Sequence, residues 1–243
     1  MKTSEYIEEK INKLPKGYVF TYMDFISEVT KREAIIKHLN RMASSGKINK
    51  LSKGKYFRPQ ETVFGALFPD QHQIVKDLLE EDGKLVGYIT GYSVYNSLGL
   101  TTQVSSTIQI GKREIRPPFK RGRFRISFIK QKNTITRESI PLLRLLDAIR
   151  YIKKIPDTTI EKSCIRLMAL LRELKTSEQV KLIKLAFKYS PATRALLGAL
   201  LREISCRAET EIRDLQDSLN PITVYDLDIS EKVLPNAKYW NIK

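Results

Sequence analysis

The run Thr30-Lys-Arg-Glu-Ala-Ile-Ile-Lys-His-Leu-Asn-Arg-Met-Ala-Ser-Ser45, continuing as Gly46-Lys-Ile-Asn-Lys-Leu-Ser-Lys-Gly-Lys-Tyr-Phe-Arg58, decides how this chain is read. Thr30 and Glu33 have capping-box spacing, which predicts a helix beginning there. Behind the cap, Ile35, Leu39 and Met42 fall at i, i+4 and i+7 and define the packed face. The opposite face carries Arg32, Ile36, Lys37, Asn40, Arg41 and Ser44. Asparagine and arginine on an open helical face pair bidentately with adenine and guanine edges. Gly46 stands where a helix C-terminal cap belongs. Lys47–Leu51 and Lys55–Arg58 then flank Ser52-Lys53-Gly54, a loop with glycine where a hairpin wants positive φ.

Upstream, Tyr6, Ile7, Ile11 and Leu14 predict a helix over Ser4–Leu14, stopped by Pro15 and Gly17. Thr21 and Asp24 cap a short second helix, whose apolar side chains are Phe25, Ile26 and Val29. Helix, helix, helix and basic hairpin are the parts of a winged helix-turn-helix over residues 1–60. On that reading Arg32, Lys37, Asn40, Arg41 and Ser44 face the DNA groove. Lys50, Lys53 and Lys55 reach phosphates from the hairpin, and Lys31 is a further DNA-binding candidate. The plain alternative for the same residues is a small helical domain with a solvated basic face.

The charge pattern supports a polyanionic partner. The chain carries a net +16 over 243 residues. Residues 1–58 hold 13 Lys/Arg against 6 Asp/Glu, and residues 112–132 hold nine basic side chains against Glu114 alone. Residues 209–231 reverse the sign, with seven acids against Arg213. Clustering of this kind marks an electrostatic footprint rather than general solubility. In the second basic run, Arg113, Lys120, Arg121 and Arg123 are candidate phosphate contacts beside those of the hairpin; an equally plain reading is a solvated loop or a site for an acidic partner.

The remaining chain, 61–243, is expected to be one C-terminal domain: mixed α/β over 61–135, mainly helical over 136–243. Pro59–Phe68 reads as an extended linker and Gln71–Glu80 as a helix. Gly87–Gln103 reads as a turn and a small helix stopped by Gly99. Its Tyr88, Tyr92 and Tyr95 are either core or base-stacking residues. Alternation predicts strands at Ser106–Ile110 and Arg123–Ile129, the latter with Phe124, Ile126 and Phe128 on one face. Leucine-rich helices follow, started by Pro141, by Thr158 with Glu161, by Thr176 with Gln179, and by Ser190-Pro191. Gly198 in the last of these suits close packing, and Leu219–Ile229 reads as an extended acidic tail, able to pair with the basic hairpin region near Lys112–Arg125. The fold class expected is α+β.

Chemistry is not legible. There is no phosphate-binding Gly-x-x-x-x-Gly-Lys-Ser/Thr loop, no His-Glu-x-x-His, no Gly-x-Ser-x-Gly and no Cys-x-x-Cys. His38 and His72 are too few for a multi-histidine metal site, and Cys164 and Cys206 read as buried thiols of a reducing compartment. No enzyme activity, cofactor or metal is expected. The N-terminus lacks a signal-peptide core and no apolar run reaches about 18 residues, so a cytoplasmic protein without a membrane partner is expected.

Three stretches carry a family resemblance: Gly17–Phe25 with Arg32–Met42 and Leu51–Phe57; Gly91-Tyr-Ser-Val-Tyr-Asn-Ser-Leu-Gly-Leu-Thr-Thr-Gln-Val104; and Ile140–Ala148 with Ile155–Thr158. The chain resembles the AbiEi-type antitoxins of type IV toxin–antitoxin systems and related transcriptional regulators. The middle run is the more specific of the three. The resemblance implies an N-terminal winged helix that binds inverted repeats of double-stranded DNA in its own promoter as a repressor. It also implies a larger C-terminal domain that counters a nucleotidyltransferase-type toxin without a stable complex. A protein–protein adaptor tethered to nucleic acid and an RNA-binding protein are the alternatives.

Overall fold

A computed structural model describes residues 3–26, 32–63 and 65–243. The chain is α+β and divides into two compact units. The first is Met1–Leu78 with Phe119–Arg125; the second is Leu79–Pro118 with Ile126–Lys243.

In the first unit, α1 (Thr3–Lys13) leads to β1 (Val19–Phe20) and a 3-10 turn at Tyr22–Phe25. The expected Thr21 cap is present: the Met23 N–H donates to Thr21 Oγ1 at 3.2 Å, and the Thr21 N–H donates to Asp24 Oδ2 at 2.7 Å. Val29, Lys31 and the Thr30 partner of the second capping box lie outside the described residues. Helix α2 (Arg32–Ser44) precedes β2 (Asn49–Ser52) and β3 (Lys55–Phe57). These strands form an antiparallel sheet in the order β1-β3-β2. Gly54, at φ 73°, makes the β2–β3 turn that a side chain would strain. Ile7 and Ile11 of α1, Phe20, Phe25, Ile48, Tyr56 and Ile35, Leu39 and Met42 of α2 form the core. The face expected to pack is therefore the face that packs.

Pro59–Phe68 is not a linker. It holds β4 (Gln60–Thr62) and β5 (Gly65–Leu67), paired antiparallel with Gly65, at φ 99°, opposite Thr62. The segment has no apolar alternation because all of β5 and most of β4 are exposed, so nothing in it announced a hairpin. Helix α3 (Gln71–Leu79) follows, its first turn capped by Asp70, which accepts from the Gln73 N–H at 2.9 Å.

In the second unit, β6 (Glu80–Glu81) and β7 (Lys84–Leu85) turn through Asp82-Gly83, both at positive φ. Gly87–Thr90, expected as a turn, is a fully buried strand, β8; its unbroken burial removed the alternation by which a strand is recognised. After α4 (Tyr92–Tyr95), β9 (Thr107–Lys112) pairs antiparallel with β8 and sets Gly111 opposite Tyr88. β10 (Phe119–Arg121) belongs to the first unit. β11 (Phe124–Lys130), which enters the second unit at Ile126, lies beside β9. Its alternation fails after Ser127: Ile129 is buried, whereas Phe128 is half-buried.

Five helices complete the unit: α5 (Ile140–Arg150), α6 (Ile160–Arg172), α7 (Thr176–Ala186), α8 (Pro191–Glu203) and α9 (Glu209–Asp217). Ser190 caps α8 as expected. The other two caps sit one residue away from their expected places. Thr159 caps α6 after Asp157 turns the chain at φ 55°, and the Lys175 N–H of α7 donates to the Glu178 carboxylate at 2.8 Å. A carboxylate is a stronger acceptor there than the Gln179 amide. Helix α9 was hidden by having only Ile212 and Leu215 buried in an acidic segment. Cys164 and Cys206 are free and buried, as expected. The acidic tail pairs with the end of the chain, through a Tyr225–Ile242 bridge. Trp240 packs on Gly198, whose missing side chain makes the room.

At the centre of this unit Asp147, with no exposed surface, accepts hydrogen bonds from Tyr88 (2.6 Å), Thr90 (2.8 Å) and Tyr189 (3.0 Å). The Gln131 amide donates to both tyrosine hydroxyls, at 2.8 and 2.7 Å. Burial pushes the Asp147 carboxyl up, against its three donors. Among the described residues no helix is long and apolar enough to cross a membrane.

Candidate nucleic-acid interface

Helix α2 turns Ile35, Leu39 and Met42 inward and leaves Arg32, Lys37, Asn40, Arg41 and Ser44 exposed. The 3.6-residue period makes one face apolar and the other basic. Arg32, Asn40, Arg41 and Ser44 are each held differently. The Arg32 guanidinium lies 4.7 Å from the centre of the Tyr22 ring. Asn40 Oδ1 accepts from the Tyr56 hydroxyl at 2.7 Å, so its amide NH2 is turned away from the hairpin. The Ser44 hydroxyl donates to the Asn40 carbonyl at 3.1 Å.

Arg41 Nη2 approaches His38 Nδ1 at 3.1 Å. Because a guanidinium only donates, that imidazole nitrogen must be the unprotonated one. Burial, then the Arg41 charge, hold the His38 pKa below the ordinary imidazole value, against the pull of Glu8. His38 is thus a buried packing residue that steadies Arg41.

The β2–β3 hairpin exposes Lys50 and Lys53. Among the described residues Lys37, Lys50 and Lys53 make no ion pair. Lys55 is different: its ammonium meets Asp77 Oδ2 at 3.1 Å and is largely covered. Arg121, expected at the surface, is buried at 6 % exposure. It grips Asp77 with two nitrogens, at 2.5 and 3.0 Å, and donates to the Ile74 carbonyl at 2.7 Å. Burial pushes the Asp77 carboxyl up, but Arg121 and Lys55 outweigh it and hold the carboxyl below its usual range. These two cations therefore clamp α3 rather than face solvent. Lys120 and Arg123 are exposed; Arg123 stacks 4.6 Å from the centre of the Phe68 ring. Arg113 is exposed in the second unit.

Sequence reasoning did not identify Tyr56, although it orients Asn40, because an aromatic residue in a strand reads as core. Its place inside the basic run Lys53–Arg58 was the available signal. Among the described residues no group of three or more metal-ligating side chains is assembled.

A search of the curated proteins finds no match. Among solved structures, the crystal structure of the RV2827C protein from Mycobacterium tuberculosis is similar in fold, with a TM-score of 0.57 and 15% sequence identity. The likeness covers 92% of this chain and 83% of that one. Residues 6–180 match the model of a family described as a family of unknown function, DUF6088, and the chain belongs to that family.

Proposed function

We propose that the first unit is a winged helix-turn-helix that binds double-stranded DNA, and that the protein is a repressor and antitoxin of the AbiEi type. One observation carries the DNA-binding reading. The Tyr56 hydroxyl of the hairpin bonds Asn40 in the middle of the exposed α2 face, so helix and hairpin are joined at the residue best suited to read a base. Asn40 and Arg41 enter the major groove, Lys37 and Ser44 flank them, and Lys50 and Lys53 lie along the phosphates. Lys55 and Arg121 are not part of this set. The antitoxin role, with a nucleotidyltransferase-type toxin as functional partner, rests on the resemblance of Gly91–Val104 and the two flanking stretches.

The test is titration of the full-length protein with a labelled duplex from upstream of its own gene and with a random duplex. Preference for the upstream duplex, lost in Arg41→Ala, supports the reading; equal affinity for both in the wild type overturns it. Co-expression with the toxin-like product of the adjacent gene tests the antitoxin role by restored growth.

A further inference from the structure

The second unit contains a cleft that the DNA-binding reading does not use. About 190 Å³ in volume, it is lined by Tyr92 and Tyr95 of α4, Gln109 of β9, Phe128 of β11, and Tyr151 and Lys154 after α5. Four aromatic rings line this one small cleft, and cations border it. Arg116 lies 5.4 Å from the centre of the Phe128 ring, and Arg150 and Lys154 lie 5.0 and 5.5 Å from that of Tyr151. Lys154 and Arg150 are exposed. Tyr92 also lines a second cleft, of about 370 Å³, with hydroxyl and amide groups, among them Thr101, Gln103, Ser105 and Ser106.

Two polar groups are held ready in the aromatic cleft. Gln109 Oε1 accepts from the Tyr92 backbone N–H at 3.1 Å, which fixes the amide and leaves its NH2 as a donor. Room for that amide exists only because residue 91 is glycine. Gly91 sits at φ 62°, and any Cβ there would overlap the Gln109 side chain. The second group is Tyr95. It is 2 % exposed, and its hydroxyl makes no hydrogen bond to any described residue. Tyr95 lines the cleft, 5.9 Å between ring centres from Tyr92, which stands edge-on to it.

From these features we infer that the cleft takes an unpaired nucleotide. The base stacks against the Tyr92 and Phe128 rings, its edge meets the Gln109 amide and the Tyr95 hydroxyl, and its phosphate lies at Lys154 and Arg150. Base–aromatic stacking needs an unpaired base, so duplex DNA does not fit. The nucleotide comes either free or as a unit of single-stranded nucleic acid. The Gly91–Val104 run, which the first unit leaves without a role, thereby acquires one: it supplies Gly91, Tyr92, Tyr95 and the rim of the second cleft.

The experiment titrates the full-length protein separately with ATP, GTP, CTP and UTP, with the nucleoside of whichever binds, with sodium tripolyphosphate and with a short labelled single-stranded RNA. Saturable binding of a nucleotide or of the strand is expected, and which of them binds identifies the source. Tyr92→Leu weakens it about tenfold. Lys154→Ala, on the surface and melting like the wild type, abolishes the advantage of the nucleotide over its nucleoside and leaves duplex binding unchanged. No saturable binding, equal binding of tripolyphosphate, or wild-type binding by both variants overturns the inference.

Discussion

The Tyr88 hydroxyl donates a 2.6 Å hydrogen bond to Asp147 Oδ2, joining β8 to α5 across 59 residues of sequence. Thr90 and Tyr189 complete the carboxylate's coordination, and Gln131 ties the two tyrosines together. Removal of the carboxylate takes the acceptor from three hydroxyl donors at once. Asp147→Ala is expected to lower unfolding stability by about 4 kcal/mol, given about 1–3 kcal/mol per unsatisfied buried group acting less than additively. Asp147→Asn, of the same shape, costs about half of that. Urea titrations of both variants and of Tyr88→Phe measure the set, and a loss under 1 kcal/mol for Asp147→Ala rules the network out as a stabilising centre.

Gly198 and Trp240 form the second long-range pair. A methyl group at 198 gains about 1 kcal/mol in helix propensity but collides with the indole ring. Overpacking costs about 1–3 kcal/mol, so Gly198→Ala is expected to destabilise by about 1 kcal/mol net. Trp240→Ala costs about 3–5 kcal/mol by leaving a cavity. The double variant should be no less stable than Trp240→Ala alone, because the collision has gone. Simple additivity in the double-mutant cycle contradicts the packing argument.

Arg121 separates a structural cation from one proposed to contact DNA. Arg121→Ala leaves Asp77 with Lys55 as its remaining ion-pair partner and opens the Ile74 carbonyl. A loss of about 2 kcal/mol is expected, below the range for a fully buried pair because Asp77 is partly exposed. Duplex affinity of the folded protein stays as in the wild type. Lys53→Ala does the reverse: stability is kept, while specific and random duplexes are bound more weakly and the log–log salt slope falls by about 0.9. An unchanged slope counts against the hairpin as a phosphate contact.

His38 gives the first unit a pH dependence. Its folded-state pKa lies below 6.5, the ordinary value that the unfolded chain retains. As pH falls through 6.5 the unfolded chain binds the proton first, so stability drops toward the lower, folded-state pKa. Above 6.5 both states are neutral and the effect vanishes. Denaturation midpoints at pH 7.5 and 5.5 should differ in the wild type, and the difference should shrink in His38→Gln. An equal difference in both proteins assigns the slope to another group.

The sequence by itself determined what depends on near neighbours along the chain. The Ile35, Leu39 and Met42 face, the Thr21–Asp24 and Ser190 caps, and the Gly54 turn all follow from contacts a few residues apart, and periodicity or turn chemistry exposes those. It likewise laid out the basic α2 face, because a helix that buries one stripe must expose the other. Tertiary structure alone decided the fate of individual charges and tyrosines. Nothing near Arg121 in sequence announces Asp77, and nothing near Tyr88 announces Asp147. The desolvation that makes one cation a clamp and leaves another free depends on partners more than 40 residues away. For the same reason β8 and α9 went unread: a strand buried on both faces and a short acidic helix take their places from what covers them.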